Sequence, residues 1–262
     1  MRAKEYIRYL LSLESYSFSL DEIGKNISSE GTALKSELAR LVNKNEIMNL
    51  RKGYYLIIPP RYSKVGFLPI QLYIDKLAKE LKRNYYLGFY TAAKFHGASH
   101  QQIQSEYVMI EKPKLADIHK GEVDIRFMTS SKWPTMNIIE KKSDAGLFKI
   151  SSPSLTAVDL IHHQTKLGGL SRMLAVLEEL SDEITDTDLN HLLSWYPHRS
   201  TLQRFGFILE ELQTAINTNA ILDRLKSNQY FPILLSPRGD QNPGSVNNKW
   251  KVDVNIKLEN DL

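Results

Sequence analysis

Residues 20–60 constrain this chain more than any other stretch. They read LDEIGKNIS, then SEGTALKSELARLVNKNEI, then MNLRKGYYLIIPP. The spacing predicts a helix, a tight turn, a second helix and a two-stranded β-ribbon, the order of a winged helix-turn-helix. In that layout the second helix enters a DNA major groove and the first braces it across the backbone. Leu34, Leu38, Leu41 and Val42 recur at helical spacing and should pack inward. Thr32, Lys35, Ser36, Ala39, Arg40 and Asn43 occupy the other face, with side chains suited to phosphates and base edges. Ser28 or Ser29 is placed to cap the helix start, where free N–H groups favour an anion. Ile47, Leu50, Tyr55, Ile57 and Ile58 predict two short strands. Arg51, Lys52, Gly53 and Tyr54 form a basic tip between them, with Gly53 free to take a positive φ. The set expected to meet DNA is therefore Ser28, Ser29, Thr32, Lys35, Ser36 and Arg40 from the helix, with Arg51, Lys52 and Tyr54 from the wing. The plain alternative is a small helical bundle with a solvated polar face and a surface hairpin.

Charge bears on this reading. The 262-residue chain has a formal net charge of +4. Residues 1–64 hold 11 Lys and Arg against 7 Asp and Glu, so the excess is concentrated around the expected DNA reader. There is no cysteine, which excludes disulfides, thiolate zinc sites and cysteine nucleophiles. Charges spread through the first 17 residues, without the apolar core of a signal peptide, and no run approaches the ~20 apolar residues of a membrane span. A cytoplasmic protein is expected.

Upstream, Tyr6, Ile7, Leu10, Leu11 and Leu13 predict a first helix over 3–14. Pro59 and Pro60 end the wing. The expected division is a winged helix over 1–60, a basic linker over 61–67 and a larger domain over 68–262. In that domain a helix is predicted over 68–81, a strand over 85–87 and a helix over 91–96 ended by Gly97. Strands are predicted at 105–111, 122–129, 136–141 and 146–151, forming a mixed or antiparallel sheet. Ser152-Pro153 starts a helix, with serine as cap and proline at the first helical position. Further helices are predicted at 168–180, 187–194, 199–213 and 218–226. Residues 232–235 predict a strand, and the alternation of Trp250, Val252, Val254 and Ile256 with polar residues predicts a half-buried one. The fold class is α+β.

Residues 85–213 carry an ordered set of segments: YYLGFYTAAKFHGASHQ, IRFM, ISSPSLTAVDLIHHQTKLGGLSRMLAVLEEL and LQRFGFILEEL. With the preceding helices and wing, this order resembles the AbiEi antitoxin family, the regulator half of AbiE-type (type IV) toxin–antitoxin systems of phage abortive infection. Thr91 and Ala98 stand where the family pattern has serine and a larger apolar residue. The resemblance implies a repressor that binds inverted repeats in its own promoter. It also implies a C-terminal domain that neutralises a nucleotidyltransferase toxin without a stable complex, and neither catalytic residues nor a cofactor.

Other chemistries fare worse. His96, His100, His119, His162, His163, His191 and His198 show no metal-ligand spacing, and His162 and His163 point about 100° apart on a helix. His96 is expected to pack beside Gly97. Asp124, then Glu140 and Lys142, fits the degenerate pattern of Mg²⁺-dependent PD-(D/E)xK nucleases, the alternative function. Gly244-Ser245 lacks the paired aspartates of a nucleotidyltransferase, because Asp253-Val254-Asn255 supplies one carboxylate. Arg199, Arg204 and Lys226 are candidates for a basic strip on the late helices.

Overall fold

The computed structural model describes residues 1–28, 31–98, 104–130, 132–237 and 241–258. They divide into two compact units that interleave along the chain. The first comprises Met1–Tyr86, Gln104–Ser130 and Glu140–Lys149; the second comprises Leu87–Ile103, Ser131–Ile139 and Ile150–Leu262.

The first unit begins with α1 (Ala3–Ser12), β1 (Ser17–Ser19), α2 (Leu20–Asn26), α3 (Gly31–Asn43), β2 (Ile47–Arg51) and β3 (Tyr54–Ile57). Helical spacing puts Ala3, Tyr6, Ile7 and Leu10 of α1 and Leu34, Leu38 and Leu41 of α3 into one core with Phe18, Ile23 and Ile47. Ser19 caps α2 by accepting a hydrogen bond from the Glu22 N–H. Lys52-Gly53 turns β2 into β3, and Gly53 takes φ 75°, in the left-handed region. The small sheet has the order β1-β3-β2, all antiparallel. β1 is too short to show periodicity in the sequence; it is held by pairing with β3, where Phe18 stacks on Tyr55 at 5.4 Å. The helix predicted over 68–81 is instead a single 3₁₀ turn at Ile70–Leu72 followed by α4 (Ile74–Glu80). They are separated at Tyr73, whose φ of −140° leaves the helical region.

A six-stranded mixed sheet follows, built from β4 (Tyr85–Leu87), β5 (Glu106–Ile110), β6 (Ile118–Lys120), β7 (Val123–Thr129), β8 (Ile138–Ser143) and β9 (Gly146–Ser151). Its order is β6-β7-β5-β4-β9-β8. β5 runs parallel to β7, β4 parallel to β9, and β6 antiparallel to β7.

In the second unit α5 (Phe89–Phe95) ends before Gly97, which takes φ 79°. The central helix is α6 (Pro153–His162), buried from Ser154 to Ile161, with the Ser152 hydroxyl accepting from the Leu155 N–H. α5, α7 (Leu174–Glu183), α8 (Asp186–Trp195) and α9 (Arg199–Glu211) pack around it, and α10 (Asn219–Lys226) packs on α8 and α9. α7 starts later than predicted: Gly168 and Gly169 take φ 94° and 93°, outside the helical region, and Ser171–Met173 form a 3₁₀ turn before it. The strand predicted over 250–256 shrinks to β11 (Val252–Asp253), parallel to β10 (Ile233–Leu234). Side chains take over its ladder: Asn248 bonds both backbone groups of Val252, and Asn255 does the same for Ser236. No helix among the described residues is long and apolar enough to cross a membrane.

Candidate nucleic-acid interface and the second unit

On α3 the core face and the solvent face separate as helical geometry demands. Leu34, Leu38 and Leu41 are buried. Thr32, Lys35, Ser36 and Arg40 are exposed, on positions three, four and eight apart, so they share one face. Lys35 and Arg40 make no ion pair among the described residues. Their charge is therefore available to an external anion. Ser28 is exposed, and its N–H donates to the Met1 carbonyl at 3.3 Å. Ser29 lies outside the described residues. At the hairpin tip Lys52 is exposed and Arg51 half-buried. Tyr54 must be withdrawn from the interface: it is 2 % exposed, and its hydroxyl donates to Ser17 Oγ at 2.8 Å. Burial also raises its phenol pKa, which keeps it neutral. β3 is the central strand of its sheet, and Tyr54 shares an inward face with Leu56, two residues on.

The nuclease pattern does not assemble. Asp124 lies on β7, and Glu140 and Lys142 lie on β8. Four strand spacings separate β7 from β8 in the sheet order, roughly 19 Å. No single metal ion bridges carboxylates that far apart. Asp124 is instead held by the Ser105 hydroxyl, by His119 Nδ1 at 2.6 Å and by Arg126 at 3.4 Å.

The late basic residues do not form a strip either. Arg204 is buried, and its Nε donates to the carbonyls of Leu234 and Leu235 at 2.9 and 3.0 Å. Burial lowers its pKa to about 10, which leaves it cationic at neutral pH. Arg199 donates to the Gln229 carbonyl, while Lys226 is exposed. One turn of α9 thus grips the C-terminal segment. Gln203 joins it by donating to the carbonyls of Phe231 and Trp250 at 2.9 and 2.8 Å. Gly206 presents bare backbone to the Trp250 ring, and a Cβ there would lie 2.2 Å from the ring.

A second polar node has no counterpart in the sequence reading. Asn137 takes φ 66°. Its Nδ2 donates to the carbonyl and carboxylate of Asp188 at 2.9 and 2.7 Å, and its Oδ1 accepts from Trp195 Nε1 at 2.8 Å. Asp188 also accepts from the Ser154 N–H at 2.8 Å. No local pattern signals this, because the partners lie 51 and 58 residues along the chain.

The histidines hold no metal cluster among the described residues, and His100 lies outside them. His96 Nε2 sits 2.8 Å from the Ser151 carbonyl, a packing role. His162 stacks on His198 at 4.2 Å and meets His163 edge-on at 4.7 Å. Burial is the first cause that lowers their pKa values, His162 to about 4 and His163 to about 3, and neighbouring cationic groups add to it. The unfolded chain, with imidazoles near 6.5, binds these protons first. Stability is therefore full above pH 6.5 and lost as pH falls toward 4. His163 should contribute up to about 1.4 kcal/mol per pH unit, and His162, the more exposed of the two, less. Urea unfolding at pH 7 and pH 5 checks this: wild type should weaken over that interval more steeply than His163→Gln, and equal slopes would refute it.

Residues 86–211 match the family model described as the AbiEi antitoxin C-terminal domain. That match identifies the segment as such a domain, as in an AbiEi-family antitoxin, and supports an antitoxin role. The match ends at residue 211, yet Arg204, Gln203 and Gly206 bind the segment beyond it into the same unit. No curated protein matches the chain. Among solved structures, the crystal structure of the Rv2827c protein from Mycobacterium tuberculosis is similar, with a TM-score of 0.65 at 14% identity over 95% of this chain and 90% of that one. At that identity the likeness concerns the α+β fold.

Proposed function

We propose, proceeding from the AbiEi antitoxin C-terminal domain at residues 86–211, that this chain is a non-catalytic antitoxin and a DNA-binding repressor of its own type IV toxin–antitoxin operon. Residues 1–60 serve as a winged helix-turn-helix, joined through 61–67 to the antitoxin domain over 68–262. In the cytoplasm, its partners are double-stranded promoter DNA with inverted repeats and, functionally, a nucleotidyltransferase toxin that it counters without a stable complex. The observation that carries the DNA reading is the α3 face, where Thr32, Lys35, Ser36 and Arg40 are exposed together and both cations lack an ion pair among the described residues. The order helix, strand, two helices and hairpin, with Arg51 and Lys52 at its tip, supports the winged-helix assignment.

Titration of a labelled upstream fragment at several salt concentrations, against a scrambled competitor, tests this. Wild type should bind specifically, with affinity falling steeply as salt rises. Lys35→Ala and Arg51→Ala should each reduce the logarithmic salt slope by about 0.9 for every phosphate left without its cation. Binding that ignores both changes in folded protein would sink the interface. The antitoxin half is tested by co-expression with the neighbouring nucleotidyltransferase, where growth should recover.

A further inference from the structure

The turn between α2 and α3 is bordered by two further cations. Arg2 stands immediately before α1, and the Ser28 N–H donates to the carbonyl of its neighbour Met1 at 3.3 Å. Ser28 lies three residues before Gly31, the start of α3. The N-terminal end of α1 is thereby tied to the chain that leaves α2. The Arg2 backbone N–H is held by the Glu5 carboxylate at 3.0 Å, which fixes the chain there. The guanidinium remains exposed, without an ion pair among the described residues. Lys25, in the last turn of α2, is exposed and unpaired in the same sense. Glu22, on the same helix, is bound instead by Lys76 at 2.9 Å and by the Tyr6 hydroxyl at 3.1 Å.

In helix-turn-helix docking, the first residues of the recognition helix enter the groove, so phosphates line both sides of them. We infer that Arg2 and Lys25 grip those phosphates, so that the chain entering α1 joins α2 and α3 in contacting the backbone around the α2–α3 turn. This inference rests on the DNA-binding reading above. Both contacts are to the backbone, so they add affinity and fix orientation without reading sequence.

The test is fluorescence anisotropy on the upstream fragment and a scrambled fragment across a salt series. The proteins are wild type, Arg2→Ala, Lys25→Ala, the double variant and Arg8→Ala. Arg8 is exposed within α1, six residues on, and so lies more than a helical turn farther along the chain from the α2–α3 turn. Each single variant should lower the salt slope by about 0.9 and the double by about 1.8, with the preference for the upstream fragment retained. Arg8→Ala should match wild type. Specific wild-type binding with an unchanged slope in the double variant overturns this inference and leaves the repressor reading standing. An Arg8→Ala loss equal to that of Arg2→Ala also overturns it. Absence of wild-type binding removes the repressor reading and this inference with it.

Discussion

Gly206→Ala is expected to lower the unfolding free energy by about 3 kcal/mol, at the upper end of overpacking costs in a filled core. The added Cβ would stand 2.2, 2.3 and 2.6 Å from three carbons of the Trp250 ring, closer than packed atoms approach. The ring has nowhere to go. Trp250 is 1 % exposed, and its indole N–H donates to Glu210 at 2.7 Å. Backbone conformation is not the issue, since Gly206 lies inside α9, where alanine is the better helix former. For a chain of this size the loss corresponds to a fall in Tm of roughly 6–12 °C. Trp250→Leu removes the obstructing ring at its own cost. In that background Gly206→Ala should cost far less, and the coupling read from the double-mutant cycle isolates the Gly206–Trp250 interaction. A Gly206→Ala protein as stable as wild type would disprove the packing argument.

Asn137→Ala should cost a similar amount, about 3 kcal/mol, by a different route. It removes two donated hydrogen bonds to Asp188 and leaves the Trp195 indole N–H without its acceptor inside the protein. It also forces a residue with a Cβ, but no locally bonding side chain, to hold φ 66°. Asn137→Gly separates the two contributions, because glycine accepts the backbone angle but restores none of the bonds. Asn137→Gly should therefore lie between wild type and Asn137→Ala in urea unfolding. If glycine restores wild-type stability, backbone strain alone explains the position and the node is dispensable.

Much of the fold is legible because its signals are local. The cap at Ser152, the proline at 153 and the left-handed glycines at 97 and 168–169 act within a few residues of themselves. So do the apolar spacings of α1 and α3, and the exposed face of α3 follows from them. Tyr54 is misplaced by its neighbours in the basic tip, although a signal exists. Its two-residue spacing from Leu56 points it inward, but a strand covered on both edges by β1 and β2 does not announce itself in sequence. β1 has three residues, too few for any period to show.

By itself, the sequence determined the order of elements, the apolar faces that fill the first core and the resemblance of residues 85–213 to the AbiEi family. Only the tertiary structure decided which distant residues meet. It set Asp124 four strands from Glu140, turned Arg204 from a surface cation into a clasp on Leu234 and Leu235, and joined Asn137 to Asp188 and Trp195. The reason is physical. Helical and strand periods and caps depend on neighbours within about four residues. Sheet order and buried polar pairing depend on which chain segments come together on folding, and no local spacing encodes that.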